Sequence, residues 1–247
     1  MTITHARELF PIVILAGGLA TRLHPITAKI PKSLVEINDE PFIAHQLRLL
    51  RSQGIKKIII CVGYLGEQII EKIGNGDQFD LTISYVFDGP SLLGTAGAIK
   101  SAWSQLPDNF FVLYGDSYLP CNYASIQSTF IKSRRQALMT VFKNEGQWDT
   151  SNVEFKYGQI IQYDKKNKTP SMQHIDYGLG IFNKNVFMPI PDKTEYDLAL
   201  VYQTLIVQQE LAAHEVTQRF YEVGSFTGIT ELENYLRNHK QVSLNMN

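Results

Sequence analysis

The sequence predicts an α/β protein: a three-layer α/β/α sandwich around a mostly parallel central sheet, followed by a smaller β-rich part. Three observations lead there. Short apolar runs, Ile12–Leu15, Ile58–Val62, Ile83–Phe87 and Phe110–Tyr114, carry almost no polar residues, the pattern of strands covered on both faces. Helical periodicity fills the gaps between them, and alternating β and α elements argue for parallel pairing. After Tyr118 the rhythm shifts to shorter strands separated by turn residues.

Taken in order, Ile12–Leu15 opens the sheet. A helix is expected over Phe42–Ser52, where Phe42, His45, Gln46 and Leu49 recur at helical spacing and Leu50 widens the apolar face. Ile58–Val62 returns to the sheet, and Leu65–Ile73 is the next helix. Ile83–Phe87 is a third strand, Gly94–Trp103 a third helix and Phe110–Tyr114 a fourth strand. Beyond these, Tyr123–Arg134 reads as a helix. Leu138–Phe142, Val153–Phe155, Gln159–Tyr163 and Tyr177–Phe182 read as strands, with Tyr157-Gly158 as a hairpin turn. Leu198–Leu211 and Thr227–Lys240 are expected as helices, with a solvated helix end at His214-Glu215. No linker composition, internal repeat or low-complexity stretch interrupts the chain, and no hexapeptide repeat signals an appended β-helix. One domain over 1–247 is expected.

Bulk properties exclude several classes. The 247 residues are 44% hydrophobic, enough for a sizeable core. Lys plus Arg total 23 and Asp plus Glu 24, a net charge of −1. No basic footprint for nucleic acid exists, so any anion must be held by local charges. The two cysteines, Cys61 and Cys121, have no partner at zinc-ligand spacing and suit a reducing compartment. No apolar run approaches the ~20 residues that span a bilayer. Phe10–Ala16 reads as a buried strand, not a secretory core, and a cytoplasmic location is expected.

The chemistry concentrates after the first strand. Leu15-Ala16-Gly17-Gly18 ends it in small residues, and Arg22, Pro25, Pro31 and Lys32 follow with no acidic residue between Gly17 and Lys32. Glycines let backbone N–H groups approach phosphate oxygens. Arg22 adds a planar fork and Lys32 a point charge. Two phosphate loops are excluded: Lys32 follows proline where the Walker pattern needs glycine, and Arg22 stands where a dinucleotide fingerprint needs its third glycine.

The string Leu15-Ala16-Gly17-Gly18-Leu19-Ala20-Thr21-Arg22-Leu23-His24-Pro25-Ile26-Thr27, with Pro31-Lys32-Ser33-Leu34, resembles the signature of the sugar-1-phosphate nucleotidylyltransferases, in particular short mannose- or heptose-1-phosphate guanylyltransferase-like members. The resemblance implies a Rossmann-like sheet, with 1–120 binding nucleotide and 121–247 binding the sugar phosphate and carrying the C-terminal helix. It implies that Leu15, Ala16, Gly17, Gly18 and Thr21 cradle a nucleoside triphosphate, with Arg22 and Lys32 neutralising its phosphates. Ala20 departs from the family's usual glycine; with φ > 0 it would cost about 1 kcal/mol. Leu93-Gly94-Thr95-Ala96-Gly97 resembles the second nucleotide loop, Gly94 and Thr95 lying against base and ribose.

Asp116, at the end of Phe110–Gly115, matches the family's metal-binding aspartate. Glu222 stands where a second carboxylate is usual, one methylene longer. Together they imply a Mg²⁺ site, with Mn²⁺ as a substitute; Mg²⁺ takes one or two carboxylates plus substrate phosphates. On the acceptor side Lys165 matches the sugar-phosphate lysine, and Asn152, Asp176 and Gly178 match the sugar pocket. The implied reaction joins a triphosphate, with a lean to GTP, to a mannose- or heptose-type sugar 1-phosphate for cell-surface polysaccharide synthesis, catalysed by Arg22, Lys32 and Asp116. Its implied partners are these two substrates and a second copy of the chain. Uridylyl or cytidylyl transfer to another sugar phosphate or phosphocholine, and a non-catalytic nucleotide-sugar sensor, are the alternatives. A glycosyltransferase is disfavoured, because Asp116-Ser117-Tyr118 replaces the Asp-x-Asp triplet.

Overall fold

The computed structural model describes residues 8–18, 23, 26–89 and 91–244. The first part comprises β1 (Ile12–Ala16), β2 (Glu36–Ile37), β3 (Glu40–Pro41), α1 (Phe42–Gln53), β4 (Lys57–Val62), α2 (Gly66–Ile73), β5 (Thr82–Phe87), α3 (Gly94–Ser101), β6 (Asn109–Tyr114) and β7 (Ser117–Tyr118). The second comprises α4 (Tyr123–Ser133), β8 (Ala137–Lys143), β9 (Val153–Lys156), β10 (Gln159–Tyr163), β11 (His174–Asn183), α5 (Leu198–Val207), β12 (Leu211–Val216), β13 (Tyr221–Glu222) and α6 (Phe226–Leu244).

Nine strands form one mixed sheet, ordered β10-β9-β11-β6-β1-β4-β5, with β8 and β12 continuing from β11. The block β6-β1-β4-β5 is parallel. β11 runs against β6 and β8, while β12 pairs parallel to β8. The apolar runs resolve into two faces. Ile12, Ile14, Ile58, Ile60, Phe111 and Leu113 pack with α1, α2 and α4. Their neighbours Val13, Ile59, Cys61, Phe110 and Val112 pack with α3 and α5 on the other side. Period-two alternation explains why each central strand is apolar throughout. A third cluster seats Leu232 and Leu236 of α6 on Ile37, Phe42 and Tyr118.

Tyr157 and Gly158 join β9 to β10 with φ values of 53° and 76°, the all-positive turn that matches strand twist. The expected helix over Leu198–Leu211 is corrected by the structure. α5 stops at Val207, Gln209 takes φ 57°, and Glu210 N donates to Leu205 O at 2.9 Å, a left-handed helix stop. Glu210 O then accepts from Gln136 N and Ala137 N, and the chain continues as β12. His214 and Glu215 are therefore strand residues, not a solvated helix end. His214 Nδ1 lies 2.8 Å from Thr129 Oγ1, and Glu215 lies 3.1 Å from His174.

Candidate active site

Four parallel strands end on one edge of the sheet. The chain leaves β1 for β4 and β5, then returns to place β6 on the other side of β1. That reversal opens a crevice at the strand carboxyl ends, where open α/β folds bind ligands. A cleft of about 260 Å³ lies there. It brings together Leu15, Ala16, Gly17 and Gly18 after β1, Lys32, Gly94 and Thr95 of α3, and Asp116 after β6. Thr21 and Arg22, and Ala20 with them, lie outside the described residues.

Lys32 Nζ donates to Asp116 Oδ2 at 2.8 Å, both side chains partly exposed to the cleft. Gln46 of α1 braces the turn that carries Asp116, donating to Tyr114 O at 3.2 Å and Ser117 O at 2.7 Å. Glu222 arrives from the far end of the chain. β13 pairs with β7, Glu222 sits opposite Ser117, and Val223 N donates to Asp116 O at 2.9 Å. The nearby Arg219 pairs with Glu231 and stacks on Trp148. The two expected metal carboxylates thus stand on paired strand ends, and both offer the hard oxygen donors that Mg²⁺ takes.

The second expected nucleotide loop has a further structural role. Ala96 N and Gly97 N of α3 both donate to Tyr196 O, at 2.9 and 3.2 Å. A Cβ on Gly97 would meet Thr194 O at 2.5 Å, and one on Gly94 would meet Tyr196 O at 2.8 Å. These glycines admit the segment before α5, which takes the N–H groups at the helix start.

On the acceptor side, Asn152 Oδ1 accepts from Asp176 N at 2.9 Å, and Asp176 accepts from Gly178 N and the Tyr163 hydroxyl, both at 3.1 Å. Burial raises the Asp176 carboxyl above its ordinary range, and nearby Lys165 opposes that rise. Gly178 has φ 95° where β11 shifts register against β8, a glycine-requiring irregularity. Asp164 accepts from Lys166 N and Asn167 N at 2.7 and 2.9 Å, folding the turn that presents Lys165. Lys165 Nζ lies 5.5 Å from the Tyr114 ring centroid and 3.8 Å from Asp197. Tyr114 lines the cleft, whereas Asn152, Lys165, Asp176 and Gly178 lie outside its lining, Lys165 approaching it at the Tyr114 ring. Burial, then Asp176, Asp197 and Asp116, push the Tyr114 hydroxyl well above the usual range.

Residues 12–239 match the nucleotidyl transferase family. The chain belongs to that family. Over 86% of its length it is 33% identical to the mannose-1-phosphate guanylyltransferase catalytic subunit beta of Drosophila pseudoobscura pseudoobscura, covering 58% of that relative. Over 71% it is 30% identical to the D-glycero-alpha-D-manno-heptose 1-phosphate guanylyltransferase of Campylobacter jejuni, covering 76% of it. The chain thus spans little more than half of the first relative. HddC from Yersinia pseudotuberculosis, solved with GMP-PN, shares the fold at a TM-score of 0.75 and 22% identity, over 92% of this chain and 100% of that one.

Two carboxylates at or beside the cleft, Asp88 in its lining and Asp197 in contact with Thr95 and Lys165, were not predicted from the sequence. Asp88 follows β5 and lines the cleft. Its Oδ1 is buried without a hydrogen-bond partner among the described residues. A Cβ on Gly17 would come within 3.1 Å of its Oδ2. Burial raises its carboxyl, and a hydrogen bond from the Leu93 backbone partly offsets the rise. The sequence signal was an acidic residue directly after an apolar strand, the same signal that marks Asp116. Asp197 caps α5, accepting from Ala199 N. Its sequence signal was an N-cap residue before an apolar helix, which speaks of capping and not of the cleft.

Proposed function

We propose that this chain transfers a nucleoside monophosphate from a triphosphate to a sugar 1-phosphate, releasing pyrophosphate and making a nucleotide sugar for cell-surface polysaccharide synthesis in the cytoplasm. The carrying observation is the Lys32–Asp116 pair facing the glycine turn across one cleft at the sheet's switch point. The named relatives are sugar-1-phosphate guanylyltransferases. No helix among the described residues is long and apolar enough to cross a membrane.

In this reading Gly17 and Gly18 bring backbone donors to the triphosphate. Lys32 exchanges its contact with Asp116 for a phosphate oxygen, and Arg22 adds charge from the same loop. Gly94 and Thr95 border the nucleoside, and Lys165 receives the sugar phosphate beside Asn152, Asp176 and Gly178. The nucleophile is a phosphate oxygen already ionised at neutral pH, so no general base is needed. It attacks the α-phosphorus in line, and pyrophosphate leaves opposite. The protein's contribution is positioning and charge neutralisation. Asp116 and Glu222 would hold a Mg²⁺ or Mn²⁺ ion, which when bound neutralises phosphate charge.

Asp88 favours guanine. Its carboxylate can accept from the adjacent N1–H and amino group of guanine, whereas uracil offers only one such donor. A matrix of triphosphates against sugar 1-phosphates, read by pyrophosphate release, tests the reading. The expected maximum is GTP with a mannose- or heptose-type 1-phosphate. Release with no pair overturns the reading, and a maximum with UTP or CTP overturns the base assignment.

A further inference from the structure

Thr95 and Lys165 belong to different parts of the chain, one in the first turn of α3 and one in the loop after β10. One carboxylate reaches both. Asp197 Oδ1 accepts from the Thr95 hydroxyl at 3.2 Å and stands 3.8 Å from Lys165 Nζ. The same oxygen accepts from Ala199 N at 2.8 Å, while Thr95 Oγ1 accepts from Leu198 N at 2.7 Å. Capping α5 requires only the bond to Ala199, and serine or asparagine would supply it. The charge and the contacts with Thr95 and Lys165 exceed that need.

The Lys165–Asp197 pair is 39% and 56% exposed at its two side chains, so it contributes little to stability. Its effect is on direction. A lysine ammonium rides on a flexible four-carbon stem with rotatable donors. The Tyr114 ring at 5.5 Å and Asp197 at 3.8 Å both attract it, Asp197 from the shorter distance, as does the Asp176 carboxylate. Asp197 is itself fixed by the backbone of α5 and the hydroxyl of Thr95, so the ammonium is referenced to the nucleotide side of the cleft.

We propose that Asp197 is a positioning residue that holds the Lys165 ammonium in register with Thr95, so that the acceptor phosphate lies in line with the bound triphosphate. The proposal rests on the transfer reading given above. In-line geometry appears in kcat. Removing a negative charge beside a phosphate-binding lysine does not weaken phosphate binding.

Asp197→Asn keeps a cap acceptor and removes the charge. With the most active pair of the substrate matrix, it is expected to lower kcat about tenfold. KM for the sugar 1-phosphate should stay level or fall, and KM for the triphosphate should change less than about twofold. In a Lys165→Ala background the same change should have no further effect, because contacting residues couple. Asp197→Ser, also a capping residue, should reproduce the pattern and serves if the asparagine variant does not fold. Wild-type kcat in either folded variant overturns the proposal, as does an equal tenfold loss in the Lys165→Ala background. A wild-type chain inactive with every pair overturns the transfer reading instead.

Discussion

In the cleft, Gly17 and Asp88 stand directly after parallel strands and Asp116 one residue further on, with ladders running up to the turns that hold them. Outside the cleft lining, Asn152, Asp176 and Lys165 stand at antiparallel strands and in the following loop: Asn152 accepts from Asp176 N, Asp176 accepts from the Tyr163 hydroxyl, and Lys165 pairs with Asp197. In the first arrangement the sheet sets position, and the carboxylates of Asp88 and Asp116 are not part of the framework. In the second the side chains set each other's position, and each carries part of the framework. The parallel edge should therefore lose chemistry without losing fold. On the antiparallel side, one change should be felt by several neighbours.

The largest expected effect tests the parallel edge. Asp116→Ala should lower pyrophosphate release on the order of 10³-fold, with the melting temperature nearly unchanged because the Lys32 pair is partly solvated. Full activity with magnesium present would remove Asp116 from the chemistry. Next, Asp88→Asn should cut the preference for GTP over UTP roughly 10- to 100-fold, since a buried acceptor matched to two donors is lost. Only ionised Asp88 can accept from both. The wild-type kcat/KM for GTP should thus fall as pH drops through the raised Asp88 pKa, while the asparagine variant stays flat. Equal pH profiles would exclude a base-reading role.

The smallest effect tests the antiparallel side through stability. Burial raises the Asp176 pKa, so the folded chain holds this proton more tightly than the unfolded chain. Stability from this group is present at low pH and is lost as pH rises from the ordinary carboxylate value through the raised one. Asp176→Asn removes that loss and should be more stable than the wild type at neutral pH. Melting curves against pH should show the gain vanish as pH falls below the ordinary carboxylate range. A wild-type advantage at neutral pH would show that the bonds from Tyr163 and Gly178 outweigh the desolvation.

The same contrast governs what could be read from the chain. The strands of the parallel block announce themselves because burial on both faces forces continuous apolar runs, and their ends locate Lys32 and Asp116 by proximity to glycine and proline. β12 carries no such mark. Ala212, Ala213, His214 and Glu215 are compatible with a helix, and the stop at Gln209 uses a left-handed residue where glycine would have been the signal. Pairing with β8 overrides local preference there. Asp88 and Asp197 were illegible for another reason. A carboxylate after a strand or before a helix has many uses, and only the fold shows that Asp88 lines the cleft and that Asp197 touches Thr95 at its edge. Gly94 and Gly97 were legible as a loop, but their intimacy with Thr194 and Tyr196 joins positions far apart in the chain.

That intimacy bears on how the protein could be rebuilt. Exchanging residues 1–120 with those of a relative would leave Gly94 and Gly97 from one parent facing Thr194 and Tyr196 from the other. A Cβ on Gly97 or Gly94 would come within 2.5 or 2.8 Å of those residues' backbone oxygens, leaving no room for a side chain. A workable chimera must inherit residues 93–97 and 194–197 together, so the unit of exchange is a pair of distant segments and not a half of the sequence.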